Sequence, residues 1–192
     1  MDKITDFLNN EFKPLHVNDT VADAENLFLD FNYSHFPILE QDIYIGSIAK
    51  DDTEILPTSN LINEHKFNLH RFFVRSNMNW FDVFEEFSKN HTNILPVLDE
   101  KNQYIGFYEL DDVLHFLNET TFVKEDGGII VIEKETEDFT FSQICQIVES
   151  NGSKVLGVFV SNTSLTLTQI TLKISQNNFN EIIQTFRRYN YT

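Results

Sequence analysis

Two carboxylate pairs, Asp51-Asp52 and Asp111-Asp112, each close a repeated run of residues at what reads as a helix start. A carboxylate there accepts hydrogen bonds from free backbone amides, so capping is the least these aspartates can do. Ahead of each pair the order is the same. Tyr33-Ser-His-Phe-Pro37-Ile-Leu39 leads to Ile43-Tyr-Ile-Gly46, and Asn93-Ile-Leu-Pro96-Val-Leu98 leads to Gln103-Tyr-Ile-Gly106. The step from Gly46 to Gly106 is one longer than the step from Pro37 to Pro96, so the second copy carries one extra residue, in its Asp99-Glu-Lys-Asn102 turn. A period of this length is that of a small domain duplicated in tandem.

Other reactive residue types give no catalytic pattern. Cys145 is the only cysteine, so no intramolecular disulfide forms, and its place on an apolar helix stripe suits a buried, inert thiol. His65 and His70 are five apart, which misaligns them on a helix, and no HxxxH or paired cysteine offers a metal site. His35 and His91 lead into strands and can face a cleft or fill the core. No GxSxG, P-loop or GxGxxG is present. The expected class is a non-enzyme with no metal.

The chain has 192 residues, 41% hydrophobic and 23% charged, the balance of a globular protein with room for two or more small cores. Its net charge of −16 opposes binding to nucleic acid and to anionic membrane surfaces, which depends on lysine and arginine clusters. No apolar run reaches the roughly 18 to 20 residues of a membrane span, and the N-terminus lacks a signal-peptide core. A cytoplasmic protein is expected.

Residues 3 to 10 read as a short lead-in helix stopped by Pro14, and Leu15-His-Val17 as an extended segment. Thr20 with Asp23 opens a helix striped by Val21, Ala24, Leu27, Phe28 and Phe31, before two strands, Phe36–Leu39 and Ile43–Ile48. The second copy repeats this, with Asn79 and Asp82 opening a helix striped by Trp80, Val83, Phe84 and Phe87. Strands at Ile94–Leu98 and Tyr104–Tyr108 then lead to a helix over Asp111–Asn118, and one or two helical turns fill the link from Thr53 to Lys66.

The pattern changes at Asp126-Gly127-Gly128. Ile129–Ile132 reads as a strand, Thr140 with Gln143 as a capping box opening a helix that stops at Asn151-Gly152. Lys154–Ser161 and Leu165–Ile174 form a hairpin, and a switch of apolar parity between Leu167 and Ile170 predicts a bulge near Thr168-Gln169. Asn178 with Glu181 opens a last helix. One more strand would complete a ferredoxin-like sheet, so its edge is either open to another subunit or completed by residues beyond 192.

The duplicated unit resembles the cystathionine-β-synthase (CBS) domain, which occurs as a tandem pair in a pseudo-twofold disc. The remainder resembles an ACT domain by topology, and the combination is similar to acetoin-utilisation-type regulatory proteins. The expected fold class is α/β (α+β): CBS repeats at 1–66 and 67–122, then an ACT-like βαββα unit at 127–192. The resemblance implies regulation through an adenosine-containing ligand, an adenine nucleotide or S-adenosylmethionine, held in clefts between the repeats. It also implies a homodimer acting on a further, unidentified protein. In the family pattern an aspartate holds the ribose hydroxyls and a Ser or Thr three residues earlier assists near the phosphates. Here Asp52 and Asp112 keep the aspartate, while Ala49 and Glu109 stand at the hydroxyl positions. Asp52, Asp112, His35 and Lys50 are the candidate ligand-binding residues. Glu109 opposes a phosphate in the second cleft, and Tyr33, Phe107 or Tyr108 filling a cleft would exclude adenine. The loop Glu133–Phe139 lacks the glycine of amino-acid-binding ACT domains, which implies assembly before amino-acid sensing.

Overall fold

The computed structural model describes residues 4–175 and 178–192. The chain divides into two compact units, Met1–Phe116 and Leu117–Thr192.

In the first unit, β1 (Leu15–His16), α1 (Val21–Asp30), β2 (His35–Glu40), β3 (Ile43–Ala49) and α2 (Lys50–Thr53) make the first repeat. A 3-10 segment at Ile62–Asn68 leads to the second repeat: β4 (Val74–Arg75), α3 (Trp80–Asn90), β5 (Ile94–Leu98), β6 (Tyr104–Glu109) and α4 (Leu110–Asn118). Each repeat has a three-stranded sheet, β1-β2-β3 or β4-β5-β6, with its first pair parallel and its second antiparallel. The register breaks at equivalent places, Ile38/Leu39 and Val97/Leu98. Thr20 caps α1 as expected, and the Asp23 side chain completes a capping box with it; Asn79 accepts from the amides of Phe81 and Asp82. Gln41 and Asp42 both take positive φ, as a two-residue hairpin turn requires. The longer second turn is instead held by Asp99 Oδ1, which accepts from the amides of Lys101 and Gln103.

The lead-in helix is shorter than expected, Ile4–Phe7, because the next residues are used elsewhere. Asn9 exchanges backbone hydrogen bonds with Phe107 of β6 at 2.9 and 3.0 Å. His70 does the same with Ser47 of β3 at 2.7 and 2.9 Å. The segment before each repeat thus pairs with the edge strand of the other. A Cβ on Gly46 would lie 2.8 Å from Leu69 Cβ, and one on Gly106 would lie 2.6 Å from the Asn9 carbonyl oxygen. The repeated glycine is therefore a close-approach residue. The cores cross in the same way: Ile94 and Phe107 pack with Phe12, Phe28 and Phe36, while Ile4, Phe7 and Leu8 pack on the core around Val83 and Phe87.

The second unit contains α5 (Thr121–Lys124), β7 (Gly128–Glu135), α6 (Phe141–Ser150), β8 (Val155–Thr163), β9 (Leu167–Ile174) and α7 (Phe179–Arg188). Its sheet, ordered β7-β9-β8, is wholly antiparallel, the ferredoxin-like βαββα arrangement. Ile144, Ile147 and Val148 of α6 and Ile182 and Phe186 of α7 pack on Ile130, Ile132, Ile170, Leu172 and Ile174. Residues ahead of β7 join this unit: Thr121 Oγ1 donates to the Leu156 carbonyl at 2.9 Å, and Phe122 lies against Gly157, where a Cβ would meet its ring at 2.5 Å.

Several local expectations change here. β9 pairs with β7 without a break, but its pairing with β8 shifts register twice, between Val155 and Gly157 and between Val160 and Asn162; the second shift lies opposite Ile170 and Gln169, beside the expected bulge, with the extra residue on β8. Leu165 and Leu167 are exposed, and the buried position falls to Thr168, whose hydroxyl donates to Thr136 Oγ1 at 3.1 Å. Glu133, Lys134 and Glu135, read as loop, are β7 residues paired with β9. Cys145 on α6 is half-buried rather than buried. On the other edge of β7, Glu133 and Thr192 exchange backbone bonds at 2.8 and 3.1 Å, where a fourth ferredoxin strand would run.

Candidate functional site

β3 ends at Ala49 and α2 begins at once, so Lys50, Asp51 and Asp52 stand at a strand end facing the next repeat. Between them and the C-terminal end of α3 lies a cleft of about 730 Å³, with His35, Lys50, Asp52, His70, Lys89 and His91 in its wall. That volume falls among those of small-molecule sites, about 300–1,000 Å³. At its base the repeats are stitched together: Ser34 N donates to Asn93 Oδ1 at 2.8 Å, and Asn93 N donates to Ser34 Oγ at 3.2 Å.

Ala49 is the N-cap of α2 and has no side chain to cap with. The Asp52 carboxylate does not take over that role and instead lies 3.3 Å from His70 Nε2. Behind it, His35 is buried (7% exposed), with its ring 5.1 Å from those of His70 and Phe72. Burial first, then the His70 ring, holds the His35 imidazole down to about 4, against smaller opposing effects of Asp52 and Asp51. His35 is therefore neutral near pH 7. Its Nδ1 meets Ser34 Oγ at 2.9 Å, while its buried Nε2 has no hydrogen-bond partner among the described residues.

Asp112 has a different setting. Ile4, Phe7, Trp80, Tyr108, Val113 and Phe116 crowd it and leave no room for a water-sized molecule. Burial raises its carboxyl, opposed by a hydrogen bond from the Glu109 backbone, so capping fits Asp112 where it did not fit Asp52. A separate hollow of about 330 Å³ beside Glu109 and Asp111 is the counterpart of the first cleft. Glu109 Oε1 accepts there from Asn9 Nδ2 at 2.8 Å and from the Tyr33 hydroxyl at 3.0 Å. Burial and the Glu109 carboxylate both push the Tyr33 hydroxyl well above its usual range. Phe107 lies in the core, stacked on Phe12 at 4.6 Å.

Asp52, His35 and Lys50 thus share one cleft, and Asp112 does not join them. His70 and Lys89 belong to the same wall but follow no motif. The one signal for His70 is its place: Leu69-His70 precedes the second repeat as Leu8-Asn9 precedes the first.

Residues 56–119 match the CBS domain family. A CBS domain pair/ACT domain protein from Thermotoga maritima has this fold, with a TM-score of 0.56 at 22% identity over 62% of this chain and 98% of that one. CBSX2 in complex with AMP is similar at a TM-score of 0.50 and 16% identity, over 60% of this chain and 95% of that one. The fold is that of a CBS-domain pair followed by an ACT-like unit, and one stretch of the chain matches the CBS family model. Among curated sequences, the uncharacterised protein MJ0188 of Methanocaldococcus jannaschii is 25% identical over 134 residues. The chain spans about half (49%) of that relative's length, and the match takes in 67% of this chain.

Proposed function

We propose that the chain is a regulatory protein rather than an enzyme, with a first-repeat cleft that binds an adenosine-containing ligand. The carrying observation is the open cleft of about 730 Å³ with Asp52 in its wall, set against the filled space around Asp112. A carboxylate at a cleft wall can accept both hydroxyls of a ribose, and the structurally similar CBSX2 is known in complex with AMP. Asp52, Lys50 and His35 are the binding residues in this reading, and Asp112 is a structural cap. The ACT-like unit serves assembly, and the setting is cytoplasmic. Among the described residues no helix is long and apolar enough to cross a membrane.

Thermal melts with AMP, ATP and S-adenosylmethionine, with and without Mg²⁺, test it. A ligand at 100 times its Kd adds about 2.7 kcal/mol, and each kcal/mol raises the Tm of a chain this size by about 2–4 °C. A rise of about 5–10 °C with one of them is expected. A second reading, an interaction module whose clefts no longer bind ligand, is favoured by the crowding at Asp112 and by Glu109. It predicts no shift with any of the three compounds at millimolar concentration.

A further inference from the structure

Alternate residues of β7, β9 and β8 turn to opposite faces of their sheet. Ile130, Ile132, Ile170, Leu172 and Ile174 meet α6 and α7 on one face, so Ile129, Val131, Gly157 and Phe159 look the other way. The register sets Val131 and Phe159 on either side of Thr171, in one row across the three strands. One end of this outer face is covered by α5. The Phe122 ring sits on Gly157, where a Cβ would come within 2.5 Å of it, and lies 5.4 Å from the ring of Phe159. Thr121 Oγ1 donates to the Leu156 carbonyl, and Lys173 Nζ, on the same face, donates to the Val123 carbonyl at 3.1 Å.

What holds α5 down is slight. It is four residues long, and its N-cap, Thr120, makes no side-chain capping bond. A single turn has no helical stability of its own. Both hydrogen bonds that fasten it to the sheet are exposed, where each contributes little net, and the Lys124–Glu119 pair lies at the surface. Exposed residues flank it on both sides, Asn118-Glu119 before and Glu125-Asp126 after. The main hold is therefore one aromatic ring seated on a glycine.

Resting on the reading that this unit serves assembly, we infer that α5 is a strap over the assembly face, where Phe122 and a second copy of the chain compete for the same ground. Ile129 and Val131 are open to the second copy at all times, while the Gly157–Phe159 end opens only when the strap lifts. Lifting also releases Lys173 from Val123. Lys173 stands toward one end of the face, and Glu133 and Glu135 toward the other, so two copies packed with their strands antiparallel bring opposite charges together. The apparent affinity of the dimer is the intrinsic affinity reduced by the fraction of chains whose strap is lifted.

Sedimentation equilibrium of the full chain measures this for wild type, Phe122→Ala and Gly157→Ala, the last of which pushes the ring off its seat without altering it. Tm reports folding, and tryptic cleavage after Lys124, on dilute chain, reports the strap. Both variants are expected to stay folded, to be cut faster after Lys124 and to form a dimer about tenfold tighter than wild type. Adding Val131→Lys to Phe122→Ala should undo the gain, because both act on one face. Faster cleavage with an unchanged or weaker dimer, or with larger aggregates in its place, would overturn the inference while the assembly reading stood. Cleavage unchanged in both variants would overturn it too, since the ring would not be what holds α5. Monomers throughout, variants included, would remove the assembly reading and this inference with it.

Discussion

His35 is where burial and charge conflict most directly. Its imidazole is held down to about 4 because the protonated form would be desolvated and set beside His70. The unfolded chain takes up that proton near pH 6.5, so between about 6.5 and 4 the unfolded state binds more protons than the folded one. Stability is then complete above pH 6.5 and falls as the pH drops toward 4, by on the order of 2 kcal/mol once solvent screening at the cleft is allowed for. Urea melts at pH 7 and pH 4.5 should show that loss, and His35→Asn should reduce it. An unchanged pH slope in the variant would assign the loss to other groups. Asp52 carries the opposite lesson. A carboxylate at the third position of a helix invites a capping role, but it lies beside a histidine brought in by the segment that leads to the other repeat. That leaves it a group a ligand can compete for.

The crossing of the lead-in segments is the device that makes two small three-stranded sheets into one unit. Asn9 on β6 and His70 on β3 each lie against a glycine at positive φ, 145° for Gly106 and 150° for Gly46. Gly46→Ala and Gly106→Ala should each destabilise the chain by about 1–3 kcal/mol, because the added methyl meets backbone or a Cβ that cannot step aside. Denaturant midpoints of the two variants measure it, and wild-type values would show the crossing to be loose. The glycines were legible in sequence as a repeat, but their reason was not. It lies in pairings such as Asn9 with Phe107, which join distant parts of the chain and have no periodicity to read. Elements fixed by neighbours in sequence were readable: the Thr20 cap, the Asn79 cap and both hairpins. The β9 parity was misread because Leu165 and Leu167 look like core and are exposed, while Thr168 is buried with Thr136 as its partner. His70 and Lys89 were missed at the site for the reason Asn9 was: each serves the other repeat.

At the scale of the molecule, one chain holds a doubled scaffold with two unlike clefts and a second unit whose sheet still presents apolar groups. Ile129 and Val131 on β7 and Phe159 on β8, the strands either side of β9, are 59%, 52% and 46% exposed. Self-association through this unit is the expected consequence. Light scattering at tens of micromolar should give a dimer, and Val131→Lys should shift it toward monomer; a monomeric wild-type chain would contradict the assembly role. In the proposed function the ligand sits in the first-repeat cleft and is held by Asp52 rather than Asp112. The most direct test of this reading is one AMP titration of Tm run on the wild-type chain, Asp52→Asn and Asp112→Asn. A rise of about 5–10 °C at saturation is expected for wild type and for Asp112→Asn, and none for Asp52→Asn. An equal rise in Asp52→Asn, or a rise lost only in Asp112→Asn, would contradict it.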